Sequence, residues 1–189
     1  MKRIYAYYES IQSCPQPEEF KQANFWKTTW EKNGWECVML NKSHAQVSNL
    51  HSKLIAKLMK VALKLPQELL PRFPKLLARY SRLAALHAAG GGWMSDYDVL
   101  NFGFKPEIAD KYETNTLLMV QDVPCYLFYA TREHCGAAIT KLLNSEIVSG
   151  VNFLPESQIF DVKVNINDII SLLKHCKDSS EMTIDGKIE

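Results

Sequence analysis

The stretch RYSRLAALHAAGGGWMSDYDVL, residues 79–100, changes its pattern halfway along. Its first half is rich in leucine and alanine, both strong helix formers, and the spacing predicts a helix from Lys75 to Ala89 with Arg79 and Arg82 about one turn apart. Gly90, Gly91 and Gly92 end it, because glycine lets a chain leave a helix through left-handed backbone. Trp93 to Leu100 then reads as a strand or strand end with Asp96 and Asp98 set into it. A helix that turns straight into a strand is the connection of an α/β sheet, so this stretch decides the fold class.

The same alternation holds on either side. Ile4 to Tyr8 reads as a first strand, Ser10 to Pro17 as its exit loop, and Pro17-Glu18-Glu19 as the start of a helix that carries Phe20, Ala23, Phe25, Trp26 and Trp30 and stops at Asn33-Gly34. Trp35 to Leu40 reads as the second strand. The expectation is an α/β fold with a mostly parallel central sheet flanked by helices. From His51 to Leu65, Leu54, Ile55, Leu58, Met59 and Ala62 form an apolar stripe, with Lys53, Lys57, Lys60 and Lys64 mostly beside it. Such a helix is commonly a solvated face of a globule, and it is also the pattern that can rest on a membrane surface. Pro66, Pro71 and Pro74 predict a loop after it.

Downstream, Leu117–Val120 and Tyr126–Ala130 read as strands separated by a polar turn, and Gly136–Ile147 as a helix. A weak strand follows near Gln158–Val164, then a helix from Asn167 or Asp168 to about Cys176, and a polar tail over residues 177–189.

Composition narrows the function classes. The 189 residues are 47% hydrophobic and 23% charged, enough apolar surface for one ordinary globular core. Twenty-two basic against 21 acidic residues leave a formal charge of +1, so no global field recruits nucleic acid, and any anion site is local. The cysteines Cys14, Cys37, Cys125, Cys135 and Cys176 are odd in number and lack CxxC spacing, which argues against a disulfide framework or a zinc site. No apolar run is long enough for a transmembrane segment, and Glu9 interrupts the N-terminal stretch before a signal sequence could form; the expectation is a cytoplasmic protein.

Asp96 and Asp98 carry the chemistry. On an extended strand they share a face with Cβ atoms roughly 7 Å apart and Tyr97 pointing away; in a turn they converge more closely. Two close carboxylates repel, and a hard dication such as Mg2+ or Mn2+ relieves that repulsion while leaving positions open for water and phosphate oxygens. An ion so placed stabilises a leaving diphosphate. Arg82 lies on the helix entering the same turn, where it could bind a phosphate or lock one aspartate in place.

The run R-x-x-x-L-x-x-x-G-G-G-W-x-x-D-x-D, filled by Arg82, Leu86, Gly90, Gly91, Gly92, Trp93, Asp96 and Asp98, resembles the sugar-binding region of DXD-motif glycosyltransferases of the GT-A fold, and within them the capsular-polysaccharide and α-mannosyltransferase-like group. Members of that group commonly carry an acid three residues before the arginine, where this chain has Arg79. The resemblance implies a Rossmann-like nucleotide-binding fold that transfers a sugar from a UDP- or GDP-sugar donor to a hydroxyl of a glycan or other acceptor, with Mn2+ or Mg2+. It implies roles in the donor and metal site for Arg82, Asp96 and Asp98, with Asp98 as the main metal ligand. It further implies one domain over residues 1–176, with a nucleotide-sugar-binding half to about residue 100 and an acceptor-side half beyond it.

Other candidates surround this set. In open α/β sheets ligands gather beyond the carboxyl ends of the strands, which draws Tyr8, Glu9 and Ser10 toward the donor. Gly91 and Gly92 allow close backbone approach to a sugar, and Tyr97 completes the donor-binding set. Asp122 and Asp161 are candidate bases for the acceptor hydroxyl, and His134 and His175 candidate metal ligands. Trp93 is expected to pack beneath the site and His87 to be structural. A nucleotide-sugar-binding module without turnover and a metal-dependent phosphohydrolase are the competing readings.

Overall fold

Successive residues of the first strand point to opposite faces of a sheet, and both faces are covered. β1 (Arg3–Tyr7) sends Tyr5 and Tyr7 into one buried cluster and Ile4 and Ala6 into another. This computed structural model describes residues 1–9, 17–65, 67–113, 118–119, 127–144 and 176–178. α1 (Pro17–Lys32) covers the Ile4–Ala6 face, with Trp26 and Trp30 packed among Trp93, Val99 and Phe104. α2 (Lys42–Val47), α3 (His51–Ala62), α4 (Phe73–Ala88) and α6 (Arg132–Asn144) form the other layer; α4, with Tyr80, Leu83, Ala84 and Leu86 buried, is its centre. The short α5 (Pro106–Ala109) packs Ala109 into the tryptophan-rich cluster.

The five-stranded sheet runs β2 (Glu36–Leu40), β1, β3 (Gly91–Ser95), β6 (Leu127–Thr131), β5 (Leu118–Met119). β2 and β3 flank β1 in parallel, whereas β6 pairs antiparallel with both β3 and β5. The sheet is therefore mixed, with two parallel and two antiparallel pairings, and the expected mostly parallel sheet is corrected. Parallel pairing needs a crossover from one end of the sheet to the other, and α1 and then α2–α4 supply two. Beyond β3 no long helix intervenes among the described residues before β6, and the chain returns in the opposite sense.

Local rules account for the other differences. The expected strand from Trp93 to Leu100 is two strands, β3 and β4 (Val99–Asn101), separated by a turn at Asp96–Asp98. The expected proline loop is a 3₁₀ helix (Gln67–Arg72), and Pro74 sits in the first turn of α4, where its missing N–H costs nothing. α2 was not expected; Asn41 caps it by accepting from Ser43 N and His44 N, while His44 Nδ1 accepts from Asn41 N. Cys176–Asp178 forms β7, antiparallel to β4, so the boundary expected at residue 176 falls inside a paired strand. The strand and helix expected between residues 158 and 175 lie outside the described residues. Among the described residues no helix is long and apolar enough to cross a membrane.

Candidate functional site

The Asp96–Asp98 segment is a tight turn held from both sides. Val99 N donates to Asp96 O at 3.2 Å, closing it. Trp26 Nε1 donates to Ser95 Oγ at 2.7 Å, one residue before the turn, and Trp30 Nε1 donates to Val99 O at 2.9 Å, one residue after it. The two tryptophans are four apart on α1 and thus share one face, so one helix grips both shoulders of the turn. Each such bond contributes about 1 kcal/mol net, and because the indoles are fully buried, breaking one leaves an unsatisfied donor. The motif therefore takes the turn form of the two geometries open to it.

Arg82 completes the arrangement from the opposite layer. Its guanidinium donates through Nη1 to Asp96 Oδ1 at 2.6 Å, and its Cζ lies 5.6 Å from the centre of the Phe128 ring. Arg82 is buried in the middle of α4, yet its side chain reaches the partly exposed Asp96 carboxylate. Of the two roles open to this arginine, the structure shows the aspartate lock. Trp93 is buried among Trp35, Phe104 and Tyr129, on the α1 face of the strand that leads to the site.

The carboxyl end of β1 lies level with this turn. Because Ala6 is in register with Ser95, the next residues of the two parallel strands come side by side, and Tyr8 meets Tyr97 edge to face with ring centres 5.6 Å apart. On the α4 side Tyr7 Oη donates to Glu9 Oε2 at 2.7 Å, and burial and then that carboxylate push the Tyr7 hydroxyl well above its ordinary pKa. His51, at the start of α3, is buried with Nε2 lacking a hydrogen-bond partner among the described residues. Burial holds it below the usual histidine range, with Glu9 opposing and Lys42 reinforcing that shift. Tyr7 and His51 were missed in the sequence; the signal for Tyr7 is its two-residue spacing from Glu9, which puts both on one face of an extended strand.

Beside Tyr8, between α1 and the edge strand β2, opens a cleft of about 320 Å³ lined by Tyr8, Phe20, Asn24, Trp26, Lys27 and Met39. Its walls are largely aromatic and aliphatic with two polar side chains, the character of a site for a flat organic group. Phe20 is 56% exposed and lies open to a ligand entering there.

The structure thus brings together Tyr8, Glu9, Arg82, Asp96, Tyr97 and Asp98. Gly91 and Gly92 stand at the other end of β3, where their close approach is to protein. A Cβ on Gly91 would lie 2.6 Å from Arg132 N and 2.7 Å from Ala130 O, and one on Gly92 would lie 3.0 Å from the Tyr5 ring. His134 is also at that end, where its Nδ1 accepts from Thr131 N and its own N–H donates to Thr131 Oγ1, capping α6. His87 Nδ1 lies 3.1 Å from Ser48 Oγ. Ser10, Asp122, Asp161 and His175 lie outside the described residues.

Among the described residues no three His, Cys, Asp or Glu side chains gather into a ready metal cage. Magnesium does not need one, since it is commonly held by one or two carboxylates with waters and substrate phosphates completing its shell. Asp96 and Asp98, both partly exposed at the turn, are the carboxylates that would hold such an ion. Comparison with protein-family models, with curated proteins and with solved structures finds no match to this chain.

Proposed function

We propose that the chain is a metal-dependent glycosyltransferase of GT-A type that takes a UDP- or GDP-sugar and transfers the sugar to an acceptor hydroxyl. The observation that supports this most is the Arg82–Asp96 ion pair at the Asp96–Asp98 turn, level with the carboxyl end of β1 and next to an aromatic cleft. In this reading the base enters the cleft against Tyr8 and Phe20, with Asn24 and Lys27 as its polar contacts, and the diphosphate points toward the turn. Asp96 and Asp98 hold the Mn2+ or Mg2+, which supplies positive charge against the diphosphate as it departs. Arg82 fixes the Asp96 carboxylate, and Trp26 and Trp30 fix the backbone of the turn, so the carboxylates need little reorganisation when the donor arrives. The acceptor oxygen replaces the diphosphate on the anomeric carbon, and its proton passes to a base, for which Asp122 and Asp161 remain the candidates.

The test is incubation of the purified chain with a panel of UDP- and GDP-sugars, with and without Mn2+. The expected result is cation-dependent release of UDP or GDP that falls at least about 100-fold in Asp98→Ala, while circular dichroism stays that of the parent. Binding without release identifies a binding module, and phosphate release from simple phosphoesters identifies a phosphohydrolase. Absence of cation-dependent nucleotide-sugar binding overturns the proposal.

A further inference from the structure

Between Cys37 and Ser95 the chain carries nine lysines and arginines and a single acid, Glu68, a formal charge of +8 where the whole protein carries +1. All nine cations belong to the segments that build the helical layer over the Tyr5–Tyr7 face of the sheet, and the rest of the chain is correspondingly acidic at −7. The near-neutral total conceals one strongly basic stretch of sequence, which is a physical basis for attraction to an anionic partner.

α3 shows what kind of partner. Leu54 and Leu58 are fully buried in the core shared with α4 and α6. Lys53, Lys57, Lys60 and Lys64 follow one another at spacings of four, three and four and so form a row along the outside. Ser52, Ala56, Met59 and Leu63 repeat the same spacing one residue earlier, which puts them in a second row about 100° around the helix. Leu63 continues the helical backbone at the end of α3 with φ −64° and ψ −17°. Lys57 is drawn inward, where its Nζ donates to Leu143 O at 2.6 Å at the end of α6, whereas Lys53, Lys60 and Lys64 are exposed. In the second row Met59 is 49% and Leu63 88% exposed.

Lysines alone suit any polyanion. The neighbouring row decides among polyanions, because Met59 and Leu63 gain from a partner with an apolar interior directly beneath its charged layer. A single-stranded nucleic acid surface would use aromatic side chains or arginines for stacking, and neither row contains one. We propose that the outer face of α3 docks on an anionic membrane surface, Met59 and Leu63 entering at the headgroup–acyl boundary and Lys53, Lys60 and Lys64 lying against lipid phosphates. The proposal does not depend on the reading of Asp96 and Asp98.

The test is flotation of the full chain with vesicles of phosphatidylcholine, alone or with about a third phosphatidylglycerol. Binding is expected to the anionic vesicles only, and to be lost in about 0.5 M salt, where charge attraction is screened. A lysine near an anionic surface contributes roughly a factor of five, so the combined Lys53→Gln, Lys60→Gln, Lys64→Gln variant should bind about 100-fold more weakly. Leu63→Gln should weaken binding several-fold with every charge retained. All four positions are exposed, and an unchanged melting curve confirms that each variant is folded. No preference for anionic vesicles, or full binding by the triple lysine variant, overturns the proposal. So does binding to a nucleic acid duplex that matches the vesicles in strength and survives Leu63→Gln.

Discussion

Gly91, which opens β3, and Asp96, which follows its last residue, are five positions apart and are governed by different physics. At the Gly91 end the constraint is backbone against backbone: β6 and the first residue of α6 stand where a Cβ would go, and the residue has φ +88°. At the Asp96 end the constraint is side chain against side chain, with Arg82 from one layer and Trp26 and Trp30 from the other holding a turn whose carboxylates remain partly exposed. Each end also borders an opening. The acid end has the aromatic cleft, and the glycine end has a wider groove of about 710 Å³ rimmed by Lys2, Arg3, Glu113, Arg132 and Glu133, charges of both signs. Residues adjacent in a motif can therefore divide the work, one end anchoring the strand and the other presenting chemistry.

The largest effect expected from this contrast is on Gly91. Gly91→Ala puts a methyl group within 2.7 Å of backbone atoms that cannot rotate away, on a residue already in left-handed backbone. It should cost about 3 kcal/mol or more, measured as the shift in denaturant unfolding. The folded fraction should still bind nucleotide-sugar with cation, because the site is at the other end of the strand. A variant as stable as the parent, or one that folds fully and loses binding, would break the division between the two ends.

Next in size is the Arg82–Asp96 pair. Removing one partner of a buried ion pair costs roughly 3–5 kcal/mol, and since the Asp96 side chain is 30% exposed, solvent screening reduces this to about 2 kcal/mol for Asp96→Ala. Arg82→Met should fall in the same range. The double variant should lose less than the sum of the two single losses by about 1 kcal/mol, which a double-mutant cycle of unfolding free energies reads directly. Donor binding should fall in all three. Additive losses would mean that Arg82 and Asp96 contribute separately and that the acid end is not a coupled unit.

Much of this contrast was legible in the sequence, and its limits have physical causes. β1, α1, β2, α4 and β3 announce themselves because periodicity, proline and glycine act locally. The sense of β6 does not, since a strand reads the same whether it runs parallel or antiparallel and only the connection decides. α2 has six residues and too few apolar positions to show a period, although Asn41 with His44 three positions later is a cap that could have been read. At the site, Arg82, Asp96 and Asp98 were legible through their spacing around the glycines. The role of Trp26 and Trp30 was not, because the partners of their indoles lie 69 residues away. The glycines were drawn toward the ligand by their proximity in sequence, whereas an extended strand carries its two ends apart by roughly 3.3 Å per residue.

The smallest effect separates the two ends through two histidines, the buried His51 and the half-buried His87. His51 is held below its ordinary pKa by burial, with Glu9 opposing and Lys42 adding to the shift; His87 is held there by burial, with Arg132 adding and Glu133 opposing. Both therefore take up a proton at lower pH in the fold than in the unfolded chain, where histidines do so near pH 6.5. As pH falls through that value the unfolded state binds more protons, so stability declines from pH 7.5 toward 5.5 and is regained as pH rises. His51→Gln and His87→Gln should each flatten part of that slope in unfolding measurements. Glu9→Gln supplies the sharper comparison. Removing the carboxylate that favours a charged His51 should lower its titration further, seen by NMR, and leave His87 unmoved, because the electrostatic neighbours of His87 lie at the glycine end. Equal shifts at both histidines would show that the two ends of β3 are electrostatically one region.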